Sequence, residues 1–336
     1  MAGVDAGVGA SEAPIPPPNV VPTTPEPPPP PVGPLPTAEP TPNAHVHAAV
    51  PVPPSAPPAV PSGEAPSELG RFLASTSLGG WGELTYNRPS DGTPVLDLRR
   101  FALSLGHNFG EHFRFFGEVQ VSNAVSSSEG SGGVEVEAAY LDWLQGEKLN
   151  VRAGLIVMPV GVINQFHEPT TFNGVERPLV DTLIIPSTWR EPGIGFLGSI
   201  GERFSYQLYL VDGLNAAGFT RDGIRDGRQN AELARAVSGA GVARADFTPM
   251  ASFDLGASLY FGSANQGVVP SGVGYLALSE LDVRYQWRGL SLQGEAALLS
   301  LGGAAQLSQL AGERGAIADT SYGLYAEAGY ELLHLL

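Results

Sequence analysis

Residues 253–261 read FDLGASLYF. Phe253, Leu255, Ala257, Leu259 and Phe261 take alternate positions, with Asp254, Gly256, Ser258 and Tyr260 between them. A repeat of two is that of a strand with one apolar and one polar side, because successive side chains on a pleated backbone point to opposite faces. LDVRYQW (281–287) repeats the pattern, setting Leu281, Val283, Tyr285 and Trp287 against Asp282, Arg284 and Gln286. HFRFFGEVQVS (112–122) sets Phe113, Phe115, Val119 and Val121 against Arg114, Glu118, Gln120 and Ser122. LNVRAGLIV (149–157) sets Val151, Ala153, Leu155 and Val157 against Arg152.

Collected along the chain, such runs predict strands over 80–87, 95–109, 112–124, 133–145, 149–160, 192–201, 203–213, 239–248, 252–264, 276–288, 290–301 and 321–332. Many exceed the ~5–6 residues usual in soluble sheets. Their connections alternate. Those near 110, 147, 202, 250 and 289 are short; those at 88–94, 125–132, 161–191, 214–238, 265–275 and 302–320 are long. Tight turns on one side and long loops on the other are the asymmetry of a transmembrane, antiparallel up-and-down β-barrel, an all-β fold. A soluble sandwich or solenoid has no reason to keep that asymmetry, and no repeat of fixed period is present. Prolines beyond the N-terminal region fall at 89, 94, 159, 169, 178, 186, 192, 249 and 270, in connections or at strand ends, where no ladder donor is lost. Trp81, Trp143 and Trp287 are expected at the strand ends of the short-turn side, as an aromatic girdle.

Composition agrees. Of 336 residues, 43% are hydrophobic and only 15% charged, so apolar residues are diluted by the 43 glycines rather than by charge. The longest apolar run, LIVMPVGVI (155–163), contains a proline and falls well short of the ~18 residues of a membrane helix. A net charge of −16 argues against nucleic acid as a partner. With no cysteine there is no disulfide, thiolate metal site or thiol nucleophile.

Two regions follow. Residues 1–68 hold 22 of the 31 prolines and no lysine or arginine, so this segment is expected to be an extended, disordered periplasmic linker. His45 and His47 lie within it and are taken as linker rather than as a metal site. Residues 69–336 form the barrel. The start, MAGVDAGVGASEAP, has neither a basic nor an apolar leader region, and the end, YELLHLL, lacks a terminal aromatic residue. The expectation is a fragment without its export signal and last strands, the alternative a twelve-stranded barrel.

The longest connection includes FHEPTTFNGVERPLVDTLIIPSTWREPG (166–193), which has neither strand nor helix period. With its flanks, EAAYLDW (137–143) through VRAGLIVMPVGVINQ (151–165) and on to Gly198, it resembles the phosphate-selective porin O and P family of Gram-negative outer membranes. The matching pieces are the P-x-G corner at Pro159–Gly161, H-E-P-x-x-F at 167–172, V-E-R-P at 175–178 and I-P-S-T-W-R-E at 185–191. The resemblance implies a homotrimer of barrels of about sixteen strands that passes small solutes. It also implies a third outer loop folded into the lumen.

On that resemblance, residues 162–191 form a constriction, with Glu168, Glu176, Arg177, Asp181, Arg190 and Glu191 near the pathway. The competing role for each is a salt bridge or hydrogen bond that pins the loop. The lumen wall is expected to present Arg99, Arg114, Arg152 and Arg284 against Glu118, Glu135, Glu137, Asp254, Glu280, Asp282, Glu295 and Glu327. The family's anion-selective members use lysines, whereas this chain has only Lys148. Its carboxylate excess therefore predicts cation preference or little preference.

The expected function is passive diffusion of small hydrophilic solutes or ions across the outer membrane, with lipid around the barrel and no cofactor, metal or catalytic residue. One alternative is a structural barrel anchored, through the proline-rich segment, to peptidoglycan. Another is an outer-membrane hydrolase using His167–Glu168, but no G-x-S-x-G is present and HEPTT is not H-E-x-x-H. TRDGIRDGRQN (220–230) lacks calcium-loop spacing and reads as an outer loop, followed by a short helix around AELARAV (231–237).

Overall fold

A computed structural model describes residues 67–124, 132–312 and 315–332. The proline-rich segment lies outside the described residues except for Ser67 and Glu68, as do His45 and His47 and most of the 125–132 connection.

All twelve strands form one antiparallel sheet in strict chain order. They are β1 (Thr76–Asn87), β2 (Val95–Phe109), β3 (Phe113–Ser122), β4 (Val134–Leu144), β5 (Asn150–Val157) and β6 (Arg190–Ile200). The rest are β7 (Phe204–Asp212), β8 (Gly239–Met250), β9 (Phe253–Ser263), β10 (Tyr275–Trp287), β11 (Leu290–Leu301) and β12 (Thr320–Tyr330). Each pairs with its sequence neighbour, the arrangement short turns select. The two-residue turn Arg288–Gly289 has both residues at positive φ (46° and 81°), matching the twist of β10 and β11.

Apolar and polar faces are reversed relative to a soluble sheet. On β9, Leu259 and Phe261 are 47% and 59% exposed while Tyr260 and Ser258 between them are buried. On β10, Leu281 is exposed and Asp282 buried. The outward positions of these strands carry no charge. Hydrocarbon is the solvent such a face suits. No helix among the described residues is long and apolar enough to cross a membrane.

The connection between β5 and β6 reaches inward side chains at both ends of the sheet order: Glu176 bonds Arg99 of β2, and Asn173 donates its backbone N–H to Glu327 of β12. No ladder joins β1 to β12 among the described residues.

Three expectations are corrected. The first strand begins at Thr76 rather than at residue 80, and helix α1 (Glu68–Ala74), capped by the Ser67 side chain on Gly70 N at 3.1 Å, leads directly into it. Trp81 faces inward from the middle of β1, its ring 5.9 Å from that of His167, and so is no girdle residue; Trp143 and Trp287 do face outward. AELARAV forms turns, not a helix, with Asn230, Ala231 and Leu233 at positive φ. The helix in the outer loops is instead α2 (Ala304–Ala311), which buries Ala304, Leu307 and Ala311.

The interior is layered. Near the long-loop ends, inward positions are apolar: Val211, Val242, Tyr260, Leu276, Leu278, Leu299 and Leu301 pack against Ile185, Leu214, Phe219, Ile224 and Leu307 from the loops. Burying loops in this way costs their water, and apolar side chains return it at about 25 cal/mol per Å². Deeper inward positions on the same strands are charged, among them Arg244, Asp246, Glu280, Asp282 and Glu295.

Candidate functional site

Two β-bulges organise the charges on the β1–β5 side. In β2 the register shifts opposite Glu83, so consecutive Arg99 and Arg100 both reach inward. Arg100 bonds Glu83 at 2.6 Å; Arg99 grips Glu176 of the connection with both Nη atoms, at 2.8 and 2.6 Å. In β4 the register shifts at Glu137. Arg190 then bridges Glu135 (2.6 Å) and Glu137 (2.8 Å). Beyond the bulge the facing is switched, and Ala138, Tyr140 and Asp142 point inward. Asp142, fully buried, lies between Arg114 and Arg152, each at 2.7 Å, and the Arg152 guanidinium lies 3.7 Å from the centre of the Tyr140 ring.

On the opposite side Arg244 meets Asp246 at 2.7 Å, Asp282 at 2.8 Å and Glu280 at 3.5 Å. Ser258 donates to Glu280. Asp254 accepts from Thr248 at 2.6 Å, and Arg284 lies opposite it on β10.

The connection between β5 and β6 spans 158–189, displaced toward the N-terminus from the expected 162–191, because β5 ends at Val157 and Arg190 and Glu191 already belong to β6, where they pair with Val157 and Ile156. Asn164 closes its base. The amide donates to Met158 O (2.9 Å) and Trp189 O (3.1 Å), and its oxygen accepts from Trp189 N (2.8 Å). Trp189 is fully buried against Tyr260, ring centres 4.6 Å apart, and donates its indole N–H to Glu191 at 3.2 Å.

Between these anchors the connection touches inward residues around the sheet. His167 Nε2 lies 3.4 Å from Glu118 of β3, and its carbonyl accepts from Arg100 of β2 at 3.2 Å. Gln165 exchanges hydrogen bonds with Gln207 of β7 at 3.0 Å, and Gly161 O accepts from Arg244 of β8 at 3.4 Å. A π-type turn, Val180–Ile184, lays Val180 and Ile184 over Gly323 of β12.

A cavity of about 590 Å³ opens on the β1–β4 side at the long-loop ends. Its charged lining is Arg99, Arg100, Arg177, Arg190, Arg225 and Arg228 with Glu83, Glu135, Glu137 and Glu176, six cations to four carboxylates. Among the described residues Arg177, Arg225 and Arg228 form no salt bridge. Arg177 donates to Thr188 Oγ1 (3.0 Å) and His167 O (3.2 Å), and Arg228 to Ser187 O. Burial and the neighbouring Arg100 push Arg177 down to about 10, and burial with Arg225 and Arg190 lowers Arg228. The hydrogen bonds from Arg99 hold Glu176 below its ordinary range. A second cavity of about 180 Å³ lies next to the first along Glu137 and is lined by Trp81, Glu118, Tyr140, Arg152, Gln165 and His167.

Of the expected loop residues, the structure gathers Glu176, Arg177 and Arg190 at the larger cavity and puts Asp181 across the interior near Glu295. Glu168 is exposed, its carbonyl capping a short turn at Thr171; Glu191 is buried beneath Trp189. Arg99, Arg114, Glu118, Arg152, Glu280 and Asp282 face inward and are engaged with partners. Sequence reading missed Glu83, Arg100, Asp142, Arg244 and Asp246. For Arg244 and Asp246 the alternation in GVARADF was available. For Arg100 and Asp142 the bulges reverse the parity that alternation assumes. No cluster of three or more His, Asp or Glu side chains among the described residues is arranged to hold a metal ion.

No family model matches the chain. A protein of Aquifex aeolicus (strain VF5), described as uncharacterized, is 37% identical over 204 residues, 59% of this chain. The chain covers 47% of that relative's length, about half. The solved structures it is similar to are outer-membrane proteins. They include the outer membrane channel DcaP of Acinetobacter baumannii (TM-score 0.40, 13% identity, covering 77% of this chain and 88% of that one). OmpT of Vibrio cholerae in its trimer form has a TM-score of 0.39, 10% identity and coverage of 77% and 85%. Salmonella typhi OmpF in complex with daunomycin has 0.41, 12% identity and coverage of 77% and 87%. At these scores the likenesses add nothing to what the residues themselves show.

Proposed function

We propose that this chain forms the wall and constriction of an outer-membrane diffusion channel for small hydrophilic solutes or ions. The observation that carries the reading is the inversion of faces: uncharged apolar side chains outward, and buried arginines and carboxylates inward around open cavities. The 158–189 connection narrows the path, since irregular backbone at membrane depth is stable only where it lines a polar cavity. Solutes enter by the arginine-rich cavity on the β1–β4 side and pass Glu137 and His167. The β7–β11 side is filled by apolar loop packing at the same level.

The charge at the entrance then runs opposite to the expectation from strand faces. Most wall carboxylates are engaged by arginine: Glu83 by Arg100, Glu135 and Glu137 by Arg190, Asp142 by Arg114 and Arg152. Arg177, Arg225 and Arg228 have no such partner, so the entrance favours anions. A homotrimer, and a link to peptidoglycan through residues 1–68, belong to this proposal as expectations. An enzymatic role has no support in the geometry, since His167 shares its cavity with Ser104 and Glu118 but makes no hydrogen bond to Ser104.

The test is the reversal potential of the protein in planar bilayers under a KCl gradient. Anion preference that weakens in Arg177→Ala and Arg228→Ala supports the assigned path. Cation preference in the parent protein overturns the entrance, and absence of channels from inserted protein overturns the function.

A further inference from the structure

Asp181 and Glu295 are only 2% and 3% exposed, and none of their four carboxylate oxygens accepts a hydrogen bond from a conventional donor. They converge on one point: a methyl group at Gly161 would sit 2.9 Å from Glu295 Oε1 and 3.1 Å from Asp181 Oδ1. Asp181 comes from the π-type turn of the 158–189 connection and Glu295 from β11. The charges around them do not neutralise the pair. From β10 come Glu280 and Asp282, the latter already bonded to Arg244. From β8 come Arg244 and Asp246, paired with each other at 2.7 Å. From β12 comes the neutral Tyr325 hydroxyl, which accepts from Gln293 at 3.0 Å, and from the connection itself Arg177.

Two adjacent buried carboxylates cannot both be charged at moderate cost, whereas one proton between them turns the repulsion into a charge-assisted O–H···O⁻ bond. We propose that a single proton shared by Asp181 and Glu295 latches the constricting connection to the barrel wall, and that its loss releases the Val180–Ile184 turn. Release leaves two carboxylates and one proton in water; no other bond changes. Burial pushes Asp181 up to about 6 from its ordinary 3.8, in spite of the nearby Tyr325 hydroxyl and the charge of Arg177, and this marks the first of the pair's two protons to leave. The shared proton is the second of the pair to leave, so the latch holds while one proton remains and is lost only as pH rises through the higher of the pair's two raised values.

This inference rests on the channel reading for its first readout but not for its second. Open-channel current noise of the full chain is recorded from about pH 4 to about pH 11. The wild type should pass from a quiet to a noisy state as pH rises. Asp181→Asn and Glu295→Gln should each lose that transition, since an amide N–H gives the remaining carboxylate a permanent donor. A transition that persists in Asp181→Asn overturns the latch, as does one that moves with calcium or EDTA at fixed pH, which would mark a bound cation instead.

The second readout is difference infrared spectroscopy of folded wild type in lipid. The carbonyl band of a non-ionised carboxyl should persist far above the ordinary carboxylate range, titrate out together with the noise transition and be absent from both variants. No such band in the wild type overturns the proposal whatever the conductance shows. Its presence in a protein that forms no channels would keep the latch and remove the channel.

Discussion

Arg99 and Arg100 are adjacent in the chain, yet both side chains end on carboxylates inside the sheet, because the bulge opposite Glu83 cancels the alternation between them. The two ion pairs differ in surroundings. Arg100–Glu83 is nearly buried (11% and 7% side-chain exposure), whereas Arg99–Glu176 is open (30% and 62%). Arg100→Ala should therefore cost about 3 kcal/mol, the low end for loss of a buried partner because Arg99 stays 3.7 Å from Glu83, and Arg99→Ala below about 1 kcal/mol. Urea unfolding in lipid vesicles measures both, and equal costs would show that the bulge does not separate the two environments.

Asp142 serves two arginines at once. Asp142→Ala leaves Arg114 and Arg152 facing each other without a carboxylate and should destabilise by about 3–5 kcal/mol. Restoring part of that loss by adding Arg114→Leu in the same chain would establish the repulsion as the cause.

The outward face can be tested by one charge. Leu259→Arg, near the middle of β9, should cost about 2–4 kcal/mol in lipid, the penalty for a cation at the bilayer midplane. Little change in folding yield or unfolding free energy would mean that this face is not in hydrocarbon.

Trp189 closes the base of the connection. Trp189→Ala should cost about 3–5 kcal/mol and, by loosening Asn164 and Glu191, raise channel noise at every pH. A quiet channel in a stable variant would show that the base is held by Asn164 alone.

The Arg99–Glu176 tether responds to pH with the opposite sign to the Asp181–Glu295 pair. Glu176 lies below its ordinary 4.5, so this tether is intact above that value and is lost as pH falls through the depressed one. Noise in Asp181→Asn should therefore rise only on strong acidification, and Glu176→Gln should abolish that rise.

Much of this architecture is legible in the sequence because one physical rule, alternation, governs most of it. β2 and β11 coincide with the runs at 95–109 and 290–301. The rule fails where the backbone inserts a residue: at Arg99 and at Glu137 the facing flips, and Arg100 and Asp142 become lumen residues that parity places outside. It fails again in the loops, where Ile185, Leu214 and Phe219 carry no periodic signal and are buried only because other loops cover them. The charge balance at the entrance depends on which carboxylates find arginines, a matter of pairing in space that composition does not contain.

The tie made by residues 173–176 has a mechanical consequence. Neighbouring strands are held at fixed spacing by backbone ladders, whereas β2 and β12 are linked through the same segment that narrows the interior. Their separation and the aperture are therefore coupled: a displacement that widens the throat also slackens the tie.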